Sequence, residues 1–139
     1  MRGTYVLLLK LGQDLEVDVG KLGRFFFPKG FYAYVGSACG KNINLETRIK
    51  RHRRLALEKS GKLHWHIDYI LTRPLVSIED DFRVRGRKTE CKIAERLGRF
   101  GKIVARKFGS TDCSCKTHFF KIRRSDVGKL KNLIQDIRK

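Results

Sequence analysis

The chain predicts a mixed α/β (α+β) fold carried by one domain, and three observations lead there. The first third of the chain reads as strands, the rest supplies three segments with apolar residues at helical spacing, and no linker, repeat or low-complexity stretch interrupts them. A length of 139 residues with 41% hydrophobic side chains suits one domain with a core of its own.

"GTYVLLLKL" opens the series. From Thr4 to Leu11 it is apolar on both alternating faces, the pattern of a strand buried inside a sheet. Gly12 closes it, and "LEVDV" alternates apolar with acidic residues as a half-exposed or edge strand does. "LGRFFFPKG" ends in a Pro-Lys-Gly turn signal, and "FYAYVG" returns as a strand. Its Phe31, Ala33 and Val35 share one face, and Tyr32, Tyr34 and Gly36 share the other. The first third is therefore expected to be a meander.

After the small-residue loop "GSACGKN", Asn42 or Asn44 can cap a helix from 44 to about 59, with Leu45, Ile49, His52 and Ala56 facing inward. "HWHIDYILTRP" fits either a strand or a short helix stopped at Pro74, and the helix is the expectation. "LVSIEDDFRVR" reads as a strand with a polar kink. Thr89 can cap a helix through "ECKIAERLGRF", with Ile93, Leu97 and Phe100 inward. "THFFKI" is a short strand, and Ser125 can cap a last helix carrying Val127, Leu130, Leu133, Ile134 and Ile137.

Thirty-two Lys and Arg stand against fourteen Asp and Glu, giving a net charge of +18 spread along the chain. Such a surface calls for an anionic partner, and nucleic acid is the expected one because phosphate neutralisation releases counterions. No apolar run reaches the roughly 18 residues that a membrane span needs, and "MRGTYVLLLK" lacks a signal-peptide pattern. A cytoplasmic protein with no membrane partner is expected. Cys39, Cys91, Cys113 and Cys115 then read as reduced thiols or metal ligands rather than disulfides.

Three motifs occur in order: "GTY" at 3 to 5, "YVG" at 34 to 36 and "LETRIKRH" at 45 to 52. Together they resemble the GIY-YIG nuclease signature, two short motifs on adjacent strands followed by a helix bearing an arginine and a nearby histidine. "HWHIDY" and "FGSTDCSCKTHFF" extend the similarity to a mostly archaeal branch of that family. The resemblance implies a small central antiparallel sheet flanked by helices and a Mg²⁺- or Mn²⁺-dependent endonuclease, with DNA favoured over RNA. Carried over by position, Tyr5 and Tyr34 match the motif tyrosines, Arg48 the helix arginine and His52 the following histidine. Glu90 matches most nearly the metal-binding glutamate, with Glu95 as its substitute. Thr4 replaces the usual isoleucine, and the stretches from Tyr5 to Tyr34 and from Gly36 to Arg48 are longer than in the family.

The chemistry asks for the same residue types. A carboxylate such as Glu90 can hold Mg²⁺ while leaving its other positions to water and phosphate, and Arg48 can grip non-bridging phosphate oxygens bidentately. Tyrosine is a poor base at its ordinary pKa near 10, so His52 is the readier proton carrier. Lys41, Lys50, Arg51, Arg53 and Arg54 are candidate phosphate contacts.

Taken singly, these residues have ordinary roles: packed strand tyrosines, a solvated helix face, a carboxylate in a helix first turn. Only their co-occurrence raises the catalytic reading above these. Its alternatives are a non-catalytic nucleic-acid-binding module on the same fold and a zinc-stabilised accessory subunit of a repair complex. Cys113, Cys115 and His118 could ligate zinc, completed by Cys39 or Cys91. The single residue between the cysteines departs from standard finger spacing, so packed apolar cysteines are the expectation.

Overall fold

β1 (Gly3–Leu11) is flanked on both sides, by β4 (Gly30–Ala38) and by β5 (Val76–Arg85), and only Lys10 along it is exposed. Its two apolar faces therefore meet two different cores, as the alternation predicts. The computed structural model describes residues 2–39 and 44–139. β6 (Lys102–Ile103) and β7 (Phe119–Ile122) complete an antiparallel five-stranded sheet in the order β5-β1-β4-β7-β6. The kink expected in β5 is a bulge: Leu8 faces Asp80 and Leu9 faces Ile78, leaving Glu79 as the extra residue. β6 is too short to leave a periodic signal in the sequence.

The first third of the chain is not the expected meander. β1 pairs directly with β4, while β2 (Leu15–Val19) and β3 (Gly23–Phe27) form a separate two-stranded sheet. The alternation in β2 explains this, because Leu15, Val17 and Val19 are buried and Glu16 and Asp18 are exposed. The hairpin lays that single apolar face on the main core instead of extending the sheet. This hairpin fills the long stretch between Tyr5 and Tyr34.

Helices cover both faces of the sheet, so the fold is α+β in three layers. On one face α1 (Leu45–Glu58) and α2 (Asp68–Leu71) join the hairpin over Tyr5, Leu7, Leu9, Tyr32 and Tyr34. On the other, α3 (Glu90–Leu97) and α4 (Val127–Arg138) pack over Val6, Leu8, Ala33 and Val35. Asn44 caps α1 by accepting from the Thr47 N–H at 2.8 Å; Asn42, the other candidate, lies outside the described residues. Leu55 rather than Ala56 completes the buried stripe of α1. No helix among the described residues is long and apolar enough to cross a membrane.

Three expected local features differ. The helix of "HWHIDYILTRP" is only the four residues of α2, because the Asp68 carboxylate accepts from the His64 and Trp65 N–H groups and turns the preceding chain outside a helix. Thr89 occupies the cap position of α3 without capping it. Its hydroxyl is buried without a hydrogen-bond partner, and its N–H donates to Thr4 Oγ1 at 2.8 Å. Ser125 does not cap α4 either, since it lies within a short 3-10 turn whose Asp126 carboxylate accepts from the Arg123 N–H.

Candidate active site and cysteine cluster

Register brings the two motif tyrosines together. Tyr5 pairs with Gly36 and Tyr34 with Leu7, so both rings stand on one sheet face with centroids 6.4 Å apart. The Tyr5 ring lies across Gly36, where a Cβ would sit 2.4 Å from its Cζ. A glycine is needed there for close approach rather than for an unusual φ. Across the face, Tyr34 packs against Gly109, a residue at φ +71° whose added Cβ would meet Tyr34 Cε1 at 3.1 Å.

His52 stands behind Tyr5, not in the cleft. It is 1% exposed, and its Nε2 lies 2.6 Å from the Tyr5 hydroxyl. Burial lowers its pKa to about 4, with Arg51 and Arg48 adding to the effect against Asp68, so the ring is neutral at pH 7. The contact joins the phenol oxygen to Nε2, and the ring's Nδ1 is a buried atom without a partner. Burial also raises Tyr5 and Tyr34 above the usual tyrosine range, and neighbouring Arg48 offsets only part of this. Both tyrosines thus rest as phenols.

Arg48 donates from Nη1 to the Ser37 carbonyl at 2.9 Å and lays its guanidinium 4.3 Å from the Trp65 ring centroid. Trp65 is held in turn by Asp68, whose fully buried carboxylate takes both arms of the Arg51 fork at 3.0 Å. Burial works against that charge, but the Arg51 fork and the two N–H groups outweigh it and keep Asp68 below the usual carboxylate range. Arg51, expected at a phosphate, is instead an internal brace that also donates to the Lys62 carbonyl.

Glu90 opens α3, with the Lys88 ammonium 3.4 Å from its carboxylate. Thr4 places that helix start, since its buried hydroxyl accepts from Thr89 N and donates to the Arg87 carbonyl. The departure from isoleucine therefore has a structural use. Tyr5, Tyr34, Arg48 and Glu90 line one open cleft of about 340 Å³, joined by Trp65, His66 and Asp112. Glu95 is elsewhere: exposed, it pairs with Arg99 and borders a different cavity. Asp112 carries no motif of its own: in "DCSCKTH" the thiols are the stronger signal, and its carboxylate stands beside them. His66, whose Nδ1 accepts from the Gly109 N–H at 2.8 Å, is a packing residue of the wall.

The cysteines behave otherwise than expected. Cys91 is exposed and Cys113 and Cys115 are half-buried, with Cys115 packed against the edge of the second core, so none of the three is a fully buried core thiol. Their sulfurs and a His118 ring nitrogen lie within 4.8 Å of one another, a group that could hold a metal ion. Cys91 supplies the fourth group; Cys39 instead donates its thiol to the Gly3 carbonyl. Such a soft donor set suits zinc better than Mg²⁺.

On the basic helix face, Lys50 and Arg54 are exposed, Arg54 pairs with Glu58, and Arg53 pairs with Asp81 at 2.6 Å. Lys41 lies outside the described residues.

Fold and cleft together define a basic α+β domain with a polar cleft on one sheet face and a Cys/His group that could bind a metal beside it. The chain belongs to the family described as domain of unknown function DUF123, which matches residues 4–139. Neither a curated protein nor a solved structure matches it.

Proposed function

We propose that the cleft hydrolyses phosphodiester bonds in nucleic acid, DNA in preference to RNA, as a divalent-metal-dependent endonuclease of GIY-YIG type. The observation that carries this is the convergence of Tyr5, Tyr34, Arg48 and Glu90, drawn from two strands and two helices, on one cleft of a chain with charge +18. Glu90 and Asp112 offer hard carboxylate oxygens to an open space, which suits Mg²⁺ or Mn²⁺ better than any nitrogen or sulfur donor set. When bound, the ion would supply positive charge against the phosphate oxygens.

The chain's own residues do the rest. Arg48, fixed by the Ser37 carbonyl and the Trp65 face, is preorganised to meet the charge that gathers on those oxygens. Tyr34 makes no hydrogen bond among the described residues, leaving its phenol free to orient water or phosphate. Tyr5 lines the cleft, and its contact with His52 Nε2 fixes where its hydroxyl sits. His52 is thus a positioning residue acting through Tyr5, without touching the substrate.

The test is nicking of linear, flapped and branched DNA and of RNA with Mg²⁺, Mn²⁺ or no metal. Arg48→Ala and Glu90→Gln should each lower the cleavage rate about a hundredfold or more. Glu90→Gln should bind DNA at least as tightly as the parent, having lost a negative charge. A parent that binds the panel and cuts nothing overturns the enzyme reading in favour of a binding module, and activity undiminished in both variants overturns the assignment of Arg48 and Glu90.

A further inference from the structure

The cleft and the cysteine group share three short stretches of chain. Glu90 directly precedes Cys91 in the first turn of α3, Asp112 directly precedes Cys113, and His118 belongs to the group while bordering the cleft itself. Each cleft carboxylate is therefore one peptide unit from a thiol of the cluster.

The cluster has the dimensions of a closed tetrahedral site. At zinc–sulfur and zinc–nitrogen bonds of about 2.3 and 2.1 Å, neighbouring ligand atoms stand roughly 3.5 to 3.8 Å apart. Cys113 Sγ and His118 Nε2 are 3.6 Å apart, and all four donor atoms fall within 4.8 Å. The His118 side chain also packs against Gly109, where an added Cβ would meet His118 Cβ at 3.3 Å.

The loop carrying these groups is braced by its own hydrogen bonds. Lys107, at φ +64°, donates from Nζ to the Cys113 carbonyl at 2.8 Å and to the Cys115 carbonyl at 3.2 Å. The buried Ser110 hydroxyl donates to Cys115 O, and His118 N–H donates to Phe108 O. Cys91 is the exception. It reaches the group from α3, and no hydrogen bond among the described residues joins its thiol to a backbone carbonyl of that loop.

We infer that Cys91, Cys113, Cys115 and His118 bind one structural zinc ion, which clamps the first turn of α3 to the 107–118 loop and so positions Glu90 and Asp112 on the rim of the cleft. Three thiolates and one imidazole fill the coordination shell, leaving no open position for water or substrate, and this assigns the ion a structural role. Loading releases the three thiol protons to solvent. The positioning part rests on the endonuclease reading; the zinc site does not.

Elemental analysis of the purified full chain should find about one zinc per chain, and cobalt substitution should produce the intense visible bands of a tetrahedral thiolate site. Cys91→Ser and Cys113→Ser should lose most of the metal, while Cys39→Ser keeps it. If the parent carries no stoichiometric zinc and takes up no cobalt, or if both ligand variants retain the metal, the site is overturned. These readings need no substrate, so they are separable from cleavage: a zinc-loaded chain that cuts nothing counts only against the nuclease reading. Positioning is read in Cys115→Ser, well below its melting temperature. The Mg²⁺ concentration for half-maximal cleavage should rise severalfold, with DNA affinity held near the parent value. An unchanged Mg²⁺ requirement in zinc-depleted protein overturns the positioning role.

Discussion

The hydroxyl of Tyr5 lies 2.6 Å from Nε2 of His52, and both residues are 1% exposed. A buried neutral imidazole makes stability depend on pH in a fixed direction. The folded value of about 4 lies below the ordinary 6.5, so between these values the unfolded chain binds more protons than the folded one. Stability should therefore fall as pH drops from about 6.5 towards 4, by on the order of 3 kcal/mol from this residue, and His52 should add no slope above that window. His52→Gln keeps an acceptor for Tyr5 but does not titrate. Urea midpoints followed across this range should show a shallower pH dependence in the variant, with His66 and His118 unchanged in both chains. Equal slopes would mean that His52 is not held neutral by the fold.

Gly36→Ala tests the contact on which the tyrosine pair depends. The new Cβ would sit 2.4 Å from Tyr5 Cζ and 2.5 Å from its hydroxyl oxygen, and a ring bonded to His52 has little room to give. A loss of about 1 to 3 kcal/mol is expected, as for other overpacked cores. The penalty should shrink when Tyr5→Leu removes the ring. A cost that is the same in both backgrounds would place the strain elsewhere than at Tyr5.

Lys50 and Arg51 are neighbours in sequence with different expected effects. Arg51→Ala strands the buried Asp68 carboxylate and should cost about 3 kcal/mol, read as a lower melting temperature. Lys50→Ala should change stability by less than about 0.5 kcal/mol. It should instead reduce the slope of log affinity against log salt for duplex DNA by about 1. A parent whose DNA affinity does not depend on salt would remove the nucleic-acid reading.

Most elements were legible because their signals are local. The two-faced apolar run of β1, the Asn44 cap and stripe of α1, the alternation of β2 and the helical spacing in α3 and α4 each depend on a few consecutive residues. The alternation of β4 likewise put Tyr34 and Gly36 on one face. Neighbours distant in sequence decided the rest. An alternating strand carries the same pattern whether it joins a sheet edge or folds back over a sheet face, so the separate β2–β3 hairpin could not be read from its residues. His52 and Arg51 have the sequence of an exposed basic helix, but Tyr5 buries one and Asp68 captures the other. Cys39 and Cys91 were equal candidates for the fourth ligand because spacing does not say which thiol reaches the loop. The packing of α3 brings Cys91 there, and the pairing of β1 with β4 holds Cys39 against the Gly3 carbonyl.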